Sequence, residues 1–224
     1  MTNRPRTRAR CIAYGARPNQ PAKDETIRAF GGLVKGIVSD SYREILVRAD
    51  AHFARVRESQ PSNLECRLGC TGCCHGLFEI SLADVTILVE GLETIEPALR
   101  ADLVARSTQI VAETAHPVLR ESDSKEKAAF FRRAGEVPCP ALGPRGECRI
   151  YAFRPLACRT FGLPLREGPS YRGEECELNF TGAPQEEKEA AAWDLEWEDI
   201  LGPEDEFTIP EAILLAERML GSRK

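Results

Sequence analysis

The sequence predicts a mainly α protein: a helical frame around irregular cysteine-rich segments, with little or no β structure. Three observations predict it. Apolar residues recur at three- and four-residue steps in several stretches. Helix-start signals precede some of those stretches. Eight of the nine cysteines fall in two clusters among glycine and proline, where that periodicity is lost.

The length, 224 residues, fits one domain with an appendage. A hydrophobic fraction of 42% can bury a core without disulfide staples. Residues 1–22 read as a disordered basic arm, and 23–224 as a single helical domain whose cysteine core spans about 64–180. The arm holds Arg4, Arg6, Arg8, Arg10 and Arg17 with no acid, and contains Cys11, read as a free thiol. Residues 174–211 carry fourteen acids against the single base Lys188, which argues against a nucleic-acid binder. No apolar run reaches membrane-span length, and no apolar segment follows the basic N-terminus as a secretory signal requires. The expectation is a cytoplasmic protein without a membrane partner, in a compartment that keeps thiols reduced.

The elements follow in order. From Asp24, residues such as Ile27, Phe30, Val34, Tyr42, Ile45, Leu46, Ala49, Phe53 and Val56 predict a long helix, bent at Gly31-Gly32 and ending before Pro61. Ser81-Leu-Ala-Asp84 reads as a capping box with Asp replacing Glu, opening a helix through about Glu90. Pro97 suits the first turn of the next helix, with Leu99, Leu103, Ile110 and Val111 on one face. Residues from about Pro117 to Arg133 read as helical but polar, with Phe130-Phe131 anchoring their end. Residues 138–147 are irregular, and Cys148-Arg-Ile-Tyr151 reads as a short strand. Pro155 suits the first position of a short helix that Gly162 and Pro164 end. Two further helices are expected near 185–200 and 210–220.

The first cysteine cluster is Cys66-Arg-Leu-Gly-Cys70-Thr-Gly-Cys73-Cys74. The second is Cys139, Cys148 and Cys158, with Cys176 beyond it. Thiolates are soft ligands for zinc and iron–sulfur clusters, and gaps of two to four residues let a tight turn aim two sulfurs at one ion. These eight cysteines are the candidate metal ligands. Cys73-Cys74 is the odd element, because in extended chain adjacent side chains diverge. Either the pair serves two centres or one thiol is not a ligand. Arg67, Arg149, Arg154 and Arg159 adjoin the ligands and are candidates to offset thiolate charge around the cofactor. His75 follows Cys74 and is a weaker ligand candidate; His52 and His116 fall on expected helices as surface or packing residues.

The pattern resembles the YkgJ-type cysteine-cluster family, described as zinc- or iron-chelating. The resemblance covers about residues 64–180. It rests on Cys66, Cys70, Cys73 and Cys74, then Cys139-Pro140-Ala141-Leu142, Cys148-Arg149-Ile150-Tyr151 and Arg154-Pro155-Leu156-Ala157-Cys158-Arg159, with Phe161-Gly162 continuing it. It implies binding of zinc, iron or an iron–sulfur cluster, the last favoured by the crowding of thiols. Larger relatives sharing the cluster include flagellin lysine N-methylases, which look like iron–sulfur enzymes. That implies an alternative in which S-adenosylmethionine is a cofactor and a protein side chain the substrate. A further alternative is an interaction module, whose acidic segment with Trp193 and Trp197 docks on a protein partner.

Overall fold

The computed structural model describes residues 40–196 and 207–222. The basic arm, Cys11, the Gly31-Gly32 bend and Trp197 lie outside the described residues. Within them the fold is mainly α, with two small sheets. The helices are α1 (Asp40–Ser59), α2 (Leu82–Thr94), α3 (Pro97–Thr114), α4 (Ser124–Arg133), α5 (Leu156–Thr160), α6 (Gln185–Ala191) and α7 (Ile209–Gly221). The strands are β1 (Glu79–Ile80), β2 (Pro164–Glu167), β3 (Ser170–Glu174), β4 (Trp193–Asp194) and β5 (Phe207–Thr208). None of these helices is long and apolar enough to cross a membrane.

Helix starts are set by side chains that satisfy the first free backbone N–H groups. Ser81 caps α2 in a reciprocal box with Asp84, as the sequence predicts. Asp123 with Glu126 does the same for α4, and Thr208 with Glu211 for α7. Pro97 opens α3. β1 pairs antiparallel with β5, Ile80 opposite Phe207, so the starts of α2 and α7 lie side by side.

Three apolar clusters hold the elements together. In the first, Val85, Leu88, Val89 and Leu92 of α2 pack with Leu103 of α3 and with Ile209, Ala212, Ile213 and Ala216 of α7. Cys139, Cys148 and Cys158 press on this cluster from its edge. In the second, Tyr42, Ile45, Leu46, Ala49 and Val56 of α1 meet Leu156, Leu163, Leu165, Phe180 and Trp193. The third, smaller cluster gathers Leu77, Leu119, Phe130 and Ala134. Full burial of one such large apolar side chain contributes about 1.5–3 kcal/mol.

The structure departs from the sequence expectation in several places. Cys148–Tyr151 is not a strand: Cys148 makes one isolated bridge to Leu142, and Tyr151–Phe153 forms a 3-10 turn. Only its second part, from Ser124, makes the expected polar segment an α-helix; Leu119–Glu121 is a 3-10 turn. Pro155 is the residue before α5 rather than its first. The helix expected over 185–200 stops at Ala191, and Trp193 enters β4, which runs parallel to β2 with Leu165 opposite Trp193. Antiparallel β3 completes that sheet. His116 lies beyond the end of α3, where its ring meets Phe130 and Nε2 lies 2.9 Å from the Thr208 hydroxyl. His52 does sit on α1, with Nε2 3.0 Å from the Ala191 carbonyl.

Candidate metal centre

The eight cysteines are distant in sequence, and backbone turns bring their segments together. Leaving Asn63, the chain turns at Gly69, whose φ of +88° favours glycine. Cys70 N–H closes that turn on the Arg67 carbonyl (2.9 Å). Gly72–Cys74 is a 3-10 turn, closed by Cys74 N–H on Thr71 (2.9 Å). The adjacent cysteines are therefore not in extended chain, and the Cys73 thiol reaches the Cys74 side chain in a hydrogen bond.

The second segment is stitched onto the first. Cys139 N–H donates to the Cys74 carbonyl (2.8 Å), and His75 bridges Pro138. Arg149 N–H donates to the Ala141 carbonyl (2.9 Å), folding Cys148 back beside Cys139. Gly146, at φ +79°, packs so closely that a Cβ there would lie 3.0 Å from Gly69 Cα. Cys158 rides on α5, where Asp84 of α2 receives Leu156 N–H (2.8 Å). Cys176 is buried; the other seven are half-buried, and all eight are free thiols.

Asn179 ties Cys66 to Cys176. Its backbone N–H donates to the Cys176 carbonyl (3.2 Å). Its side-chain Nδ2 donates to Cys66 Sγ (3.2 Å) and to the Gly162 carbonyl (2.7 Å), while Oδ1 accepts from Glu65 N–H (2.9 Å). Sequence reasoning missed this residue. Its signal was slight: an asparagine three positions past a candidate ligand.

Burial raises most of these thiols above their ordinary range. It carries Cys66 up to about 11, against the lowering pull of the Asn179 hydrogen bond. It carries Cys139 up to about 12. Cys158 is raised well above its usual value by burial and by Cys139, Cys73 and Cys148 beside it. Cys73 is raised by its hydrogen bond to Cys74 and then by burial, and Arg154 opposes the rise. Cys148 and Cys176 are raised chiefly by burial as well.

The four arginines divide. Arg154 stands by the thiols, pulling Cys73 and Cys148 down, with its guanidinium 3.7 Å from the Tyr151 ring centroid. Arg149 also lowers Cys148, although its charge is shared with Asp102 at 2.6 Å. Arg67 pairs with Glu65 at the surface. Arg159, only 8% exposed, is spent on Asp50 and the Arg154 and Ala152 carbonyls, so it braces the loop. His75 Nδ1 lies 3.0 Å from the Thr71 carbonyl. Among the described residues, no group of three or more His, Cys, Asp or Glu side chains stands at metal-ligand spacing.

A sequence profile of one protein family matches residues 65–177, just over half of the chain. Its description is "CxxCxxCC: Putative zinc- or iron-chelating domain". The chain belongs to this family. It is thereby a metal-binding protein of the zinc- or iron-chelating kind. In this member the first gap is one residue longer than the family's name spells, since three residues separate Cys66 from Cys70. No curated protein and no solved structure gives a significant match.

Proposed function

We propose that this zinc- or iron-chelating protein holds its metal through thiolates of Cys66, Cys70, Cys73, Cys74, Cys139, Cys148, Cys158 and Cys176. The observation that carries the proposal is convergence: cysteines spread over more than a hundred residues meet in one region. A half-buried group of free thiols has little structural value of its own, because ordinary apolar side chains would fill the space as well. Soft thiolates suit zinc and iron, and both the Asn179 N–H on Cys66 and the Arg154 charge would stabilise sulfur in its anionic form. Binding would draw the gathered sulfurs into a shell, so that metal affinity and local folding are coupled. A reducing, cytoplasmic setting is the natural one for such thiols.

The test is anaerobic purification followed by metal analysis and a visible spectrum. Bound zinc or iron in the wild type, with Cys70→Ser and Cys148→Ser each losing metal, is the expected result. Full metal content in Cys70→Ser would remove that residue from the ligand set.

An iron–sulfur cluster is a second form the same ligands could hold. It is favoured by the Asn179 N–H···S contact, since hydrogen bonds to sulfur tune cluster potentials. Broad visible absorption with acid-labile sulfide supports the cluster; a colourless zinc protein excludes it. The S-adenosylmethionine-dependent enzyme draws no support from the described residues, whose two short sheets in a helical frame do not form a β/α barrel.

A further inference from the structure

We propose that α1, which ends before the family-matched region begins, is a working part of the chelating site: Asp50 and Arg57 on one of its faces grip the two cysteine segments and set their spacing for the metal. The inference rests on the thiolate-chelation reading above and adds the positioning residues that lie outside the matched region.

Asp50 and Arg57 are seven residues apart on α1. Seven residues make almost two full turns, so both side chains leave the helix on the same face, about 10 Å apart along its axis. The neighbouring face is apolar, and its Ala49 and Val56 are buried in the second cluster with Leu156 and Leu163. Packing thus fixes the helix, and the two polar side chains reach out from a fixed base.

Asp50 gives one carboxylate oxygen to each of two arginines. Oδ1 lies 3.4 Å from Arg154 Nη2, and Oδ2 meets Arg159 Nη1. Each arginine turns its other donors on main-chain carbonyls. Arg154 donates to Tyr151 (3.1 Å) and Cys158 (3.4 Å). Arg159 donates to Arg154 (2.9 Å) and Ala152 (2.9 Å). All four carbonyls belong to the stretch that leads from Cys148 to Cys158. One carboxylate on α1 therefore orients two planar forks of donors that shape this stretch.

Arg57 works at the other end. Its Nη2 donates to the Cys66 carbonyl (3.1 Å), and its guanidinium lies 5.1 Å from the Phe53 ring centroid on the same helix. The Cys66 main chain is thus held from α1 and its sulfur from Asn179. Within the matched region the two segments are joined at Cys74, His75 and Cys139. The helix adds a grip on the outlying ligands, Cys66 and Cys158. Exposed hydrogen bonds and half-exposed ion pairs contribute little to global stability, so their loss should be read in the metal site more than in the fold.

The test uses the full-length protein, reduced and stripped of metal under anaerobic conditions. Zinc affinity is measured by competition with a chromophoric chelator, and site geometry by the visible spectrum at saturation with cobalt(II) chloride. Asp50→Asn and Arg57→Met should each weaken zinc binding about tenfold, the low end for a group that orients a metal ligand. Each should also alter the thiolate–cobalt bands. Arg57→Lys, which keeps a donor for the Cys66 carbonyl, should recover most of the affinity and the wild-type spectrum. Arg57 lies at the surface, so the Met and Lys variants decide the matter even where Asp50→Asn does not fold. Wild-type affinity in Asp50→Asn and Arg57→Met overturns the proposal while leaving chelation intact. So does weaker binding with an unchanged cobalt spectrum, which would make α1 a packing element alone. If the wild type takes up no zinc, cobalt or iron, the chelation reading fails, and this inference with it.

Discussion

Asn179 is the residue whose removal tests the site most directly without touching a cysteine. Its amide gives one hydrogen to Cys66 Sγ and another to the Gly162 carbonyl, and takes one from Glu65 N–H. Asn179→Leu keeps the volume and removes all three bonds. Loss of a contact that orients a metal ligand commonly costs about 10–100-fold in affinity. Competition against a chromophoric zinc chelator should show a loss of that size, and an unchanged affinity would make Asn179 a structural brace only. Gly162→Ala should act through the same contact. Its φ of +98° disfavours a side chain, and the added Cβ would lie 2.6 Å from Asn179 Nδ2. The cysteines were legible because thiol spacing is a chemical signal. Asn179 was not, because an asparagine's role depends on what faces it, and here that is Cys66, 113 residues earlier.

At the scale of elements, Asp84 joins three of them. Its Oδ2 accepts from Ser81 N–H (2.9 Å) and the Ser81 hydroxyl (3.0 Å), which is the cap of α2. Its Oδ1 accepts from Leu156 N–H (2.8 Å) at the start of α5 and from the Tyr42 hydroxyl of α1. The carboxylate, 3% exposed, thus fixes the short helix that carries Cys158. Asp84→Ala strands the Leu156 N–H and the Tyr42 O–H in the interior, at about 1–3 kcal/mol for each buried group left unpaired. Urea unfolding of the metal-free protein should show a midpoint well below wild type. Asp84→Asn, which keeps an acceptor, should lose less. The cap was readable from Ser81 and Asp84 because their partnership is local. The ties to Tyr42 and Leu156 were not, at separations of 42 and 72 residues. The same limit explains the missed sheet. β2 and β4 are short, and Leu165 meets Trp193 across an intervening hairpin and helix. Trp193 lies in β4 rather than on the helix expected near 185–200, and Ile150 and Tyr151 imitated a strand that has no partner strand among the described residues.

For the whole molecule, the raised thiols make metal binding and folding respond to pH in opposite directions. An ordinary cysteine thiol titrates near 9.0, the value the unfolded chain keeps, whereas the folded protein holds Cys66 up to about 11 and Cys139 up to about 12. A folded-state pKa above the unfolded one favours the protonated native form. That contribution is complete below about pH 9 and is lost as pH rises through the folded values. The metal-free protein should therefore weaken in alkali. Metal binding has the reverse sign, because each ligand must surrender a proton. A tetrahedral zinc site should release about four protons per ion, and affinity should climb steeply with pH across the range where the thiols remain protonated. Thermal unfolding with and without zinc, followed from about pH 6 to about pH 10, should give two curves that diverge upward in pH. Proton release, read from the dependence of calorimetric heats on buffer ionisation, should match the number of sulfurs engaged. A gap between the curves that stays constant with pH would mean that the thiols are not the groups displaced by the metal.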